Sequence, residues 1–187
     1  MVAYGIICAM KATRTICGLF AALALTSSAE WHIEKNIDAV TDETTYNIGT
    51  VGDPYDVTPY VKAKPKLIIR ITPGGLNKDG KLLAKQEVII DFEPDAIKRA
   101  GITATVRFGK AKAQPWECEP STTRNAAFPA SPSKFIAQLK SADDLYFRFE
   151  TSLGAIRTLH FSTSGLTTKL KEVAATARAA LTPGAKN

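Results

Sequence analysis

The chain has 187 residues, of which 45% are hydrophobic and 22% charged, the composition of an ordinary globular protein and not of a disordered one. Its formal net charge of +6 comes from 24 basic and 18 acidic residues scattered along the sequence without a clustered stripe, which argues against nucleic acid as a partner. With 3 cysteines, it is not a disulfide-dense scaffold.

The first stretch reads as an export signal. Lys11 and Arg14 precede an apolar run from Ile16 to Leu25, and Ser27 and Ala29 put small residues where a signal peptidase reads them. Met10 stands just ahead of the basic residues as an alternative start. The run is shorter than the ~20 apolar residues a bilayer span needs. Cleavage after Ala29, no stable membrane insertion, and a periplasmic or secreted location are therefore expected. The leader removes Cys8 and Cys17, so Cys118 is left as the sole thiol and no internal disulfide can form. Residues 30–187 make a single domain, long enough to bury a core without staples.

Within that domain, strands come first. Glu30 to Ile37 and Thr41 to Ile48 alternate weakly, and Gly49 to Lys64 reads as a long connection bearing Tyr55, Pro59 and Tyr60. Three clearer strands follow. Lys66 to Thr72 sets Leu67, Ile69 and Ile71 against Ile68 and Arg70. Gln86 to Phe92 sets Val88, Ile90 and Phe92 against Glu87, Ile89 and Asp91. Ile102 to Phe108 turns Ile102, Ala104, Val106 and Phe108 inward. The turn between the first two is marked by Pro73-Gly74-Gly75 and Asp79-Gly80. A short strand is expected around Trp116 and Cys118, then a loop through Pro129. Ser131 is the expected cap of a helix beginning at Pro132, with Phe135, Ile136 and Leu139 as its apolar stripe. Leu145 to Glu150 and Ile156 to Ser162 form a hairpin, and Leu166, Leu170, Val173 and Ala177 recur at helical spacing in a last helix from Ser164 to Thr182. The pattern predicts an α+β fold: a mostly antiparallel β-sandwich or bent sheet with two short helices near the C-terminus.

The order of these motifs resembles an exported family related to type VI secretion-associated accessory proteins, found in bacteria and in some phage genomes. The pieces that carry the likeness are Trp31 with Thr41-Asp42, then KPKLIIRI, VIIDF, VRFG, Trp116, FIAQLKSADDLYFRF and FSTSGLTTKL. More distantly the chain is similar to the invasion-associated locus B family. The resemblance implies a small periplasmic β-rich domain and supplies no catalytic motif. Members commonly carry two cysteines where this chain holds Arg70-Ile71-Thr72 and Val173-Ala174-Ala175, so the implied disulfide is missing here.

No catalytic residue, metal site or cofactor site emerges. Histidines are limited to His32 and His160; a Cys118–His160 dyad or a His32–His160–Cys118 zinc set would each require the fold to assemble them. Asp91 and Glu93 read as solvated sheet charges. Arg70, Arg107 and Arg148 sit on the polar sides of strands and form an anion-binding row if those strands adjoin, or pair with Glu87, Asp91 and Glu150 if they do not. Trp31 and Trp116 read as core, with surface platforms as the alternative. The best contact candidate is Tyr55–Pro59–Tyr60, because tyrosine suits interfaces and proline lowers the ordering cost. The expected function is a non-enzymatic binding or accessory domain of the bacterial cell envelope, contacting an envelope protein or a cell-wall component. The alternatives are an enzyme with a dispersed site, such as a cell-wall hydrolase, and a small-ligand or lipid carrier. Intact-mass measurement on periplasmic protein is expected to give a chain starting at Glu30; a mass retaining Ile16 to Leu25 contradicts the export reading.

Overall fold

The computed structural model describes residues 30–98 and 101–182; the expected leader lies outside them. Eleven strands are present in this range: β1 (His32–Ile37), β2 (Thr44–Val51), β3 (Tyr55–Thr58), β4 (Val61–Ala63), β5 (Lys66–Leu76), β6 (Leu82–Asp91), β7 (Ile102–Phe108), β8 (Gln114–Pro120), β9 (Ala126–Pro129), β10 (Asp144–Glu150) and β11 (Ile156–Ser162). Two helices, α1 (Pro132–Lys140) and α2 (Leu166–Leu181), accompany them. The fold is α+β, as the alternation predicts.

Nine strands make one antiparallel sheet in the order β1-β2-β5-β6-β9-β8-β7-β10-β11, while β3 and β4 form a separate ribbon. Of the two expected forms, the bent sheet is the one observed. Seven strand spacings separate β2 from β11 along this order. In a flat sheet that is roughly 34 Å. Yet the Asp53 N–H, just past β2, donates to the His160 carbonyl on β11 at 3.0 Å. The sheet therefore curls until its two ends meet at one corner.

Inside the curl, Ile48, Leu67, Ile69 and Ile90 from one half face Val106, Leu145, Phe147, Leu159 and Phe161 from the other, all fully buried. These are the alternate positions that the periodicity assigns inward. The helices complete the core. Pro132 begins α1 at a position where its missing N–H costs nothing, and Phe135 meets Phe108 and Trp116 edge-on, with ring centroids 5.1 and 5.0 Å away. Trp116 also donates its indole N–H to the Ala130 carbonyl at 2.7 Å. Helix α2 lies against β1, β2, β5 and β6, burying Leu166, Val173 and Ala177. Trp31 is buried beside Gly165 at the start of α2. Both tryptophans are thus core residues and not surface platforms.

Three local expectations are corrected. Ser131 precedes α1 in the left-handed region (φ 55°) and makes no side-chain cap; its carbonyl instead accepts the Lys134 and Phe135 N–H groups. The segment expected to loop through Pro129 contains β9. And Gly49 to Lys64 is the end of β2 followed by the β3–β4 ribbon, not an irregular connection.

Closure leaves no room at Gly52. A Cβ there would lie 2.5 Å from the His160 carbonyl oxygen and 2.8 Å from the Phe161 ring. Replacing Gly52 with Ala is expected to destabilise the domain by about 1–3 kcal/mol, the usual cost of overpacking, read as a lower urea midpoint; an unchanged midpoint means the corner is not closed as described.

Candidate functional site

The β3–β4 ribbon projects from the closed corner, and four contacts fix its base. The Gly52 N–H donates to the Pro65 carbonyl at 2.8 Å, tying the chain entering the ribbon to the chain leaving it. Tyr55 is half-buried and donates its hydroxyl to the Phe92 carbonyl at 2.6 Å. Burial and the nearby Asp95 carboxylate push the Tyr55 phenol above its ordinary range. Arg157 donates from Nε to Asp95 at 2.9 Å and from Nη2 to the Val57 carbonyl at 2.9 Å. The fourth contact joins Asp53 to His160.

Tyr55 is therefore an anchor of the ribbon on the body, which corrects its expected place on the contact surface. Pro59 and Tyr60 form the ribbon's tip, and Tyr60 is 96% exposed. An aromatic ring held in water by a braced hairpin is available for contact.

His160 is central to the electrostatics. Its Nδ1 lies 2.6 Å from Asp53 Oδ2 and its Nε2 lies 2.9 Å from Asp144 Oδ1. A neutral imidazole has one N–H, so one of these carboxylates would face a lone pair; the protonated ring satisfies both. Partial burial opposes the charge, but the two carboxylates outweigh it and raise the pKa of His160 above its ordinary value. Register explains the rest of the cluster. Tyr146 stands opposite Arg107 on one side and His160 on the other. The Tyr146 and His160 rings stack with centroids 4.6 Å apart, and the Arg107 guanidinium lies 4.2 Å above the Tyr146 ring. Beside this stack is a cleft of about 550 Å³ whose charges are mixed: Arg107 and Lys110 against Asp143 and Asp144.

The postulated chemistry does not assemble. Cys118 is buried on β8, its Sγ directed to the Trp116 carbonyl, and burial pushes its thiol up to about 12, away from the reactive thiolate. Both nitrogens of His160 are occupied by carboxylates, so no Cys118–His160 dyad forms. Among the described residues no three His, Cys, Asp or Glu side chains are grouped to hold a metal, and His32 lies exposed on edge strand β1. Asp91 faces Lys66 at 3.8 Å and accepts the Glu93 N–H.

Nor do the three arginines form one row. Arg70 sits between Asn47 and Glu87 across β2, β5 and β6, 3.3 and 3.4 Å from their oxygens, so the pairing with Glu87 holds. Strands β6, β9 and β8 separate it from Arg107. Arg107 and Arg148 are diagonal neighbours on β7 and β10, because Arg107 opposes Tyr146 and Arg148 opposes Thr105. Glu150 pairs with Lys98 at 2.9 Å, not with Arg148. Sequence reasoning missed Asp53, Asp95, Asp144, Tyr146 and Arg157. The alternation of β10 and β11 puts Tyr146 and His160 on the polar side, which was the one available signal.

Comparison with family models, curated proteins and solved structures finds no match to this chain.

The pH dependence follows from the raised pKa of His160. The folded state holds the proton more tightly than the unfolded chain, so the stabilisation is complete below the unfolded value of roughly 6.5. It is lost as pH rises through the folded value, and Asp53 and Asp144 must stay ionised for it to exist. Urea midpoints measured from about pH 5 to about pH 9 should fall across this window, and His160→Gln should flatten that fall. A His160→Gln profile parallel to wild type removes the clamp as its cause.

Proposed function

We propose that this is an exported, non-enzymatic binding or accessory domain of the bacterial cell envelope, which contacts an envelope protein or cell-wall component through the tip of the β3–β4 ribbon. The observation that carries the reading is Tyr60, 96% exposed beside Pro59 on a ribbon braced by Tyr55, Arg157 and the Asp53–His160 contact. Bracing matters because a partner then orders little on binding, and each immobilised side chain otherwise costs ~0.5–1.5 kcal/mol. Val61 at the tip is exposed, as are Leu153 and Ile156 near Arg157, the residue that holds β3.

The export segment and the motif order that resembles the type VI secretion-associated accessory family supply the compartment in this reading. A non-catalytic role is supported by His160, whose two nitrogens are committed to holding the fold together.

Wild-type domain used as bait in an envelope extract is expected to capture a partner that Tyr60→Ala loses. Truncating an anchor aromatic costs roughly 2 kcal/mol or more of affinity, while thermal unfolding should be unchanged because the ring makes no core contact. A stable Tyr60→Ala protein with undiminished capture defeats the ribbon as the contact surface.

A further inference from the structure

We propose a second binding site, independent of the ribbon, in the groove where α1, α2 and the β5–β6 hairpin meet: it takes a single anionic amphiphile, with an apolar chain on the groove floor and an acidic head at its rim. The groove has a volume of about 590 Å³. Its floor is apolar, built from Leu82 of β6, Ile136 of α1, and Leu170 and Ala174 of α2. Leu83, 53% exposed, stands at the lip.

The charged groups of the lining are all cationic, and its neutral polar pair, Ser133 and Gln86, is joined by a hydrogen bond of 3.1 Å. Lys81 comes from the start of the β6 hairpin, Lys140 from the end of α1 and Arg178 from the last turn of α2. No aspartate or glutamate lines the groove, and among the described residues none lies within ion-pair distance of these three side chains. Helix dipoles favour a cation in the last turn of α1 and of α2, but Lys81 has no helix end to complement. Three elements from distant parts of the sequence thus line one groove with cations that no acidic group neutralises, a positive field that favours an anion. The long lysine and arginine stems extend the apolar wall while their heads stay wet.

Size and charge together suit a small ligand. At about 590 Å³ the groove lies within the usual range of small-molecule sites, ~300–1,000 Å³, and has room for one alkyl chain with a carboxylate or phosphate head. The charge excludes a neutral or cationic amphiphile as the preferred ligand, since neither neutralises the rim.

The test is an amide-resolved NMR titration of the exported protein with dodecanoate below its micelle concentration, with dodecyltrimethylammonium as the cationic match. Dodecanoate should shift the amides of Leu82, Leu170 and Ala174, and the cationic analogue should bind at least about tenfold more weakly. Lys140→Gln with Arg178→Gln should weaken dodecanoate by about tenfold or more, the scale of lost charge-assisted contacts, while the melting curve stays cooperative and shifts only by the small loss of two helix-end cations. If that double variant does not fold, Lys81→Gln alone, outside the helices, is read the same way. Equal binding of the two amphiphiles, full affinity in the charge variants, or no shift at all overturns the proposal. So does binding to anionic phosphatidylglycerol vesicles without binding to monomeric dodecanoate, which makes the groove a membrane-surface contact. Since neither ligand nor variants involve Tyr60, failure here leaves the ribbon reading standing, and the reverse holds too.

Discussion

Four residues, Ala126–Pro129, keep this protein from being two sheets. Strand β9 pairs with β6 through Ile90↔Ala127 and Asp91↔Ala126, and with β8 through Cys118↔Pro129, Glu119↔Phe128 and Pro120↔Ala127. Without it, the ladder of β1, β2, β5 and β6 ends at an open edge, as does that of β8, β7, β10 and β11. Ala127 is fully buried at this seam. The turn leading into β9 is held by the Ser121 hydroxyl, which accepts the Ala126 N–H at 3.2 Å, and by Arg124 in the left-handed region at φ 65°. That turn has a further duty: the carbonyls of Asn125 and Arg124 accept the Phe92 and Ile97 N–H groups at 2.9 Å. The segment so pinned supplies the Phe92 carbonyl to Tyr55 and the Asp95 carboxylate to Arg157. The presentation of the ribbon thus depends on β9, although β9 touches neither β3 nor β4 through strand pairing.

The closed corner is the second consequence of the curl. Apolar burial bends the sheet around its core, at about 25 cal/mol per Å², without choosing where the ends meet. The meeting point is set by directional contacts: the Asp53 N–H on the His160 carbonyl, the His160 ring between two carboxylates, and a glycine at position 52 that lets the backbones approach. The Tyr146 ring links the clamp to the next strand, stacking on the His160 ring and lying under the Arg107 guanidinium. The two carboxylates outweigh the partial loss of water around the ring. A half-exposed clamp of this kind defines geometry more than it adds stability.

What was legible in the sequence is what period-two alternation records. Strands β5, β7, β10 and β11 and their inward faces follow from it, because each has one dry and one wetter side. Strand β9 does not, since Ala-Ala-Phe-Pro lacks both alternation and β-branched residues and exists through pairing on each side. The β3–β4 ribbon is hidden by Pro54 and Pro59, which read as loop chemistry, although Pro59 lies in the turn where a missing N–H is harmless. Tyr55 looked like a surface aromatic because nothing local shows that the Phe92 carbonyl, 37 residues on, receives its hydroxyl. The clamp is less legible still: Asp53 and His160 lie 107 residues apart, and Arg157 and Asp95 are separated by 62. Polar partners at such separations leave no periodic trace.

Charge makes the same point from the other side. Along the chain, lysine and arginine are scattered, and a scattered surplus normally means a solvated surface. Folding changes that distribution. It pairs Arg70, Lys66 and Lys98 with Glu87, Asp91 and Glu150, and partly buries the Arg157–Asp95 pair, the side chains 22% and 12% exposed. Most of the other cations stay dispersed, but two sets share a lining: Lys81, Lys140 and Arg178 around an apolar floor, and Arg107 with Lys110 at the edge of the mixed cleft. The mixed cleft already contains its counter-charges in Asp143 and Asp144. The groove contains none. An absence of linear clustering argues against a long polyanion such as nucleic acid, which needs a track of phosphate contacts. It carries no weight against a single anionic head, which needs only a few cations brought together by the fold.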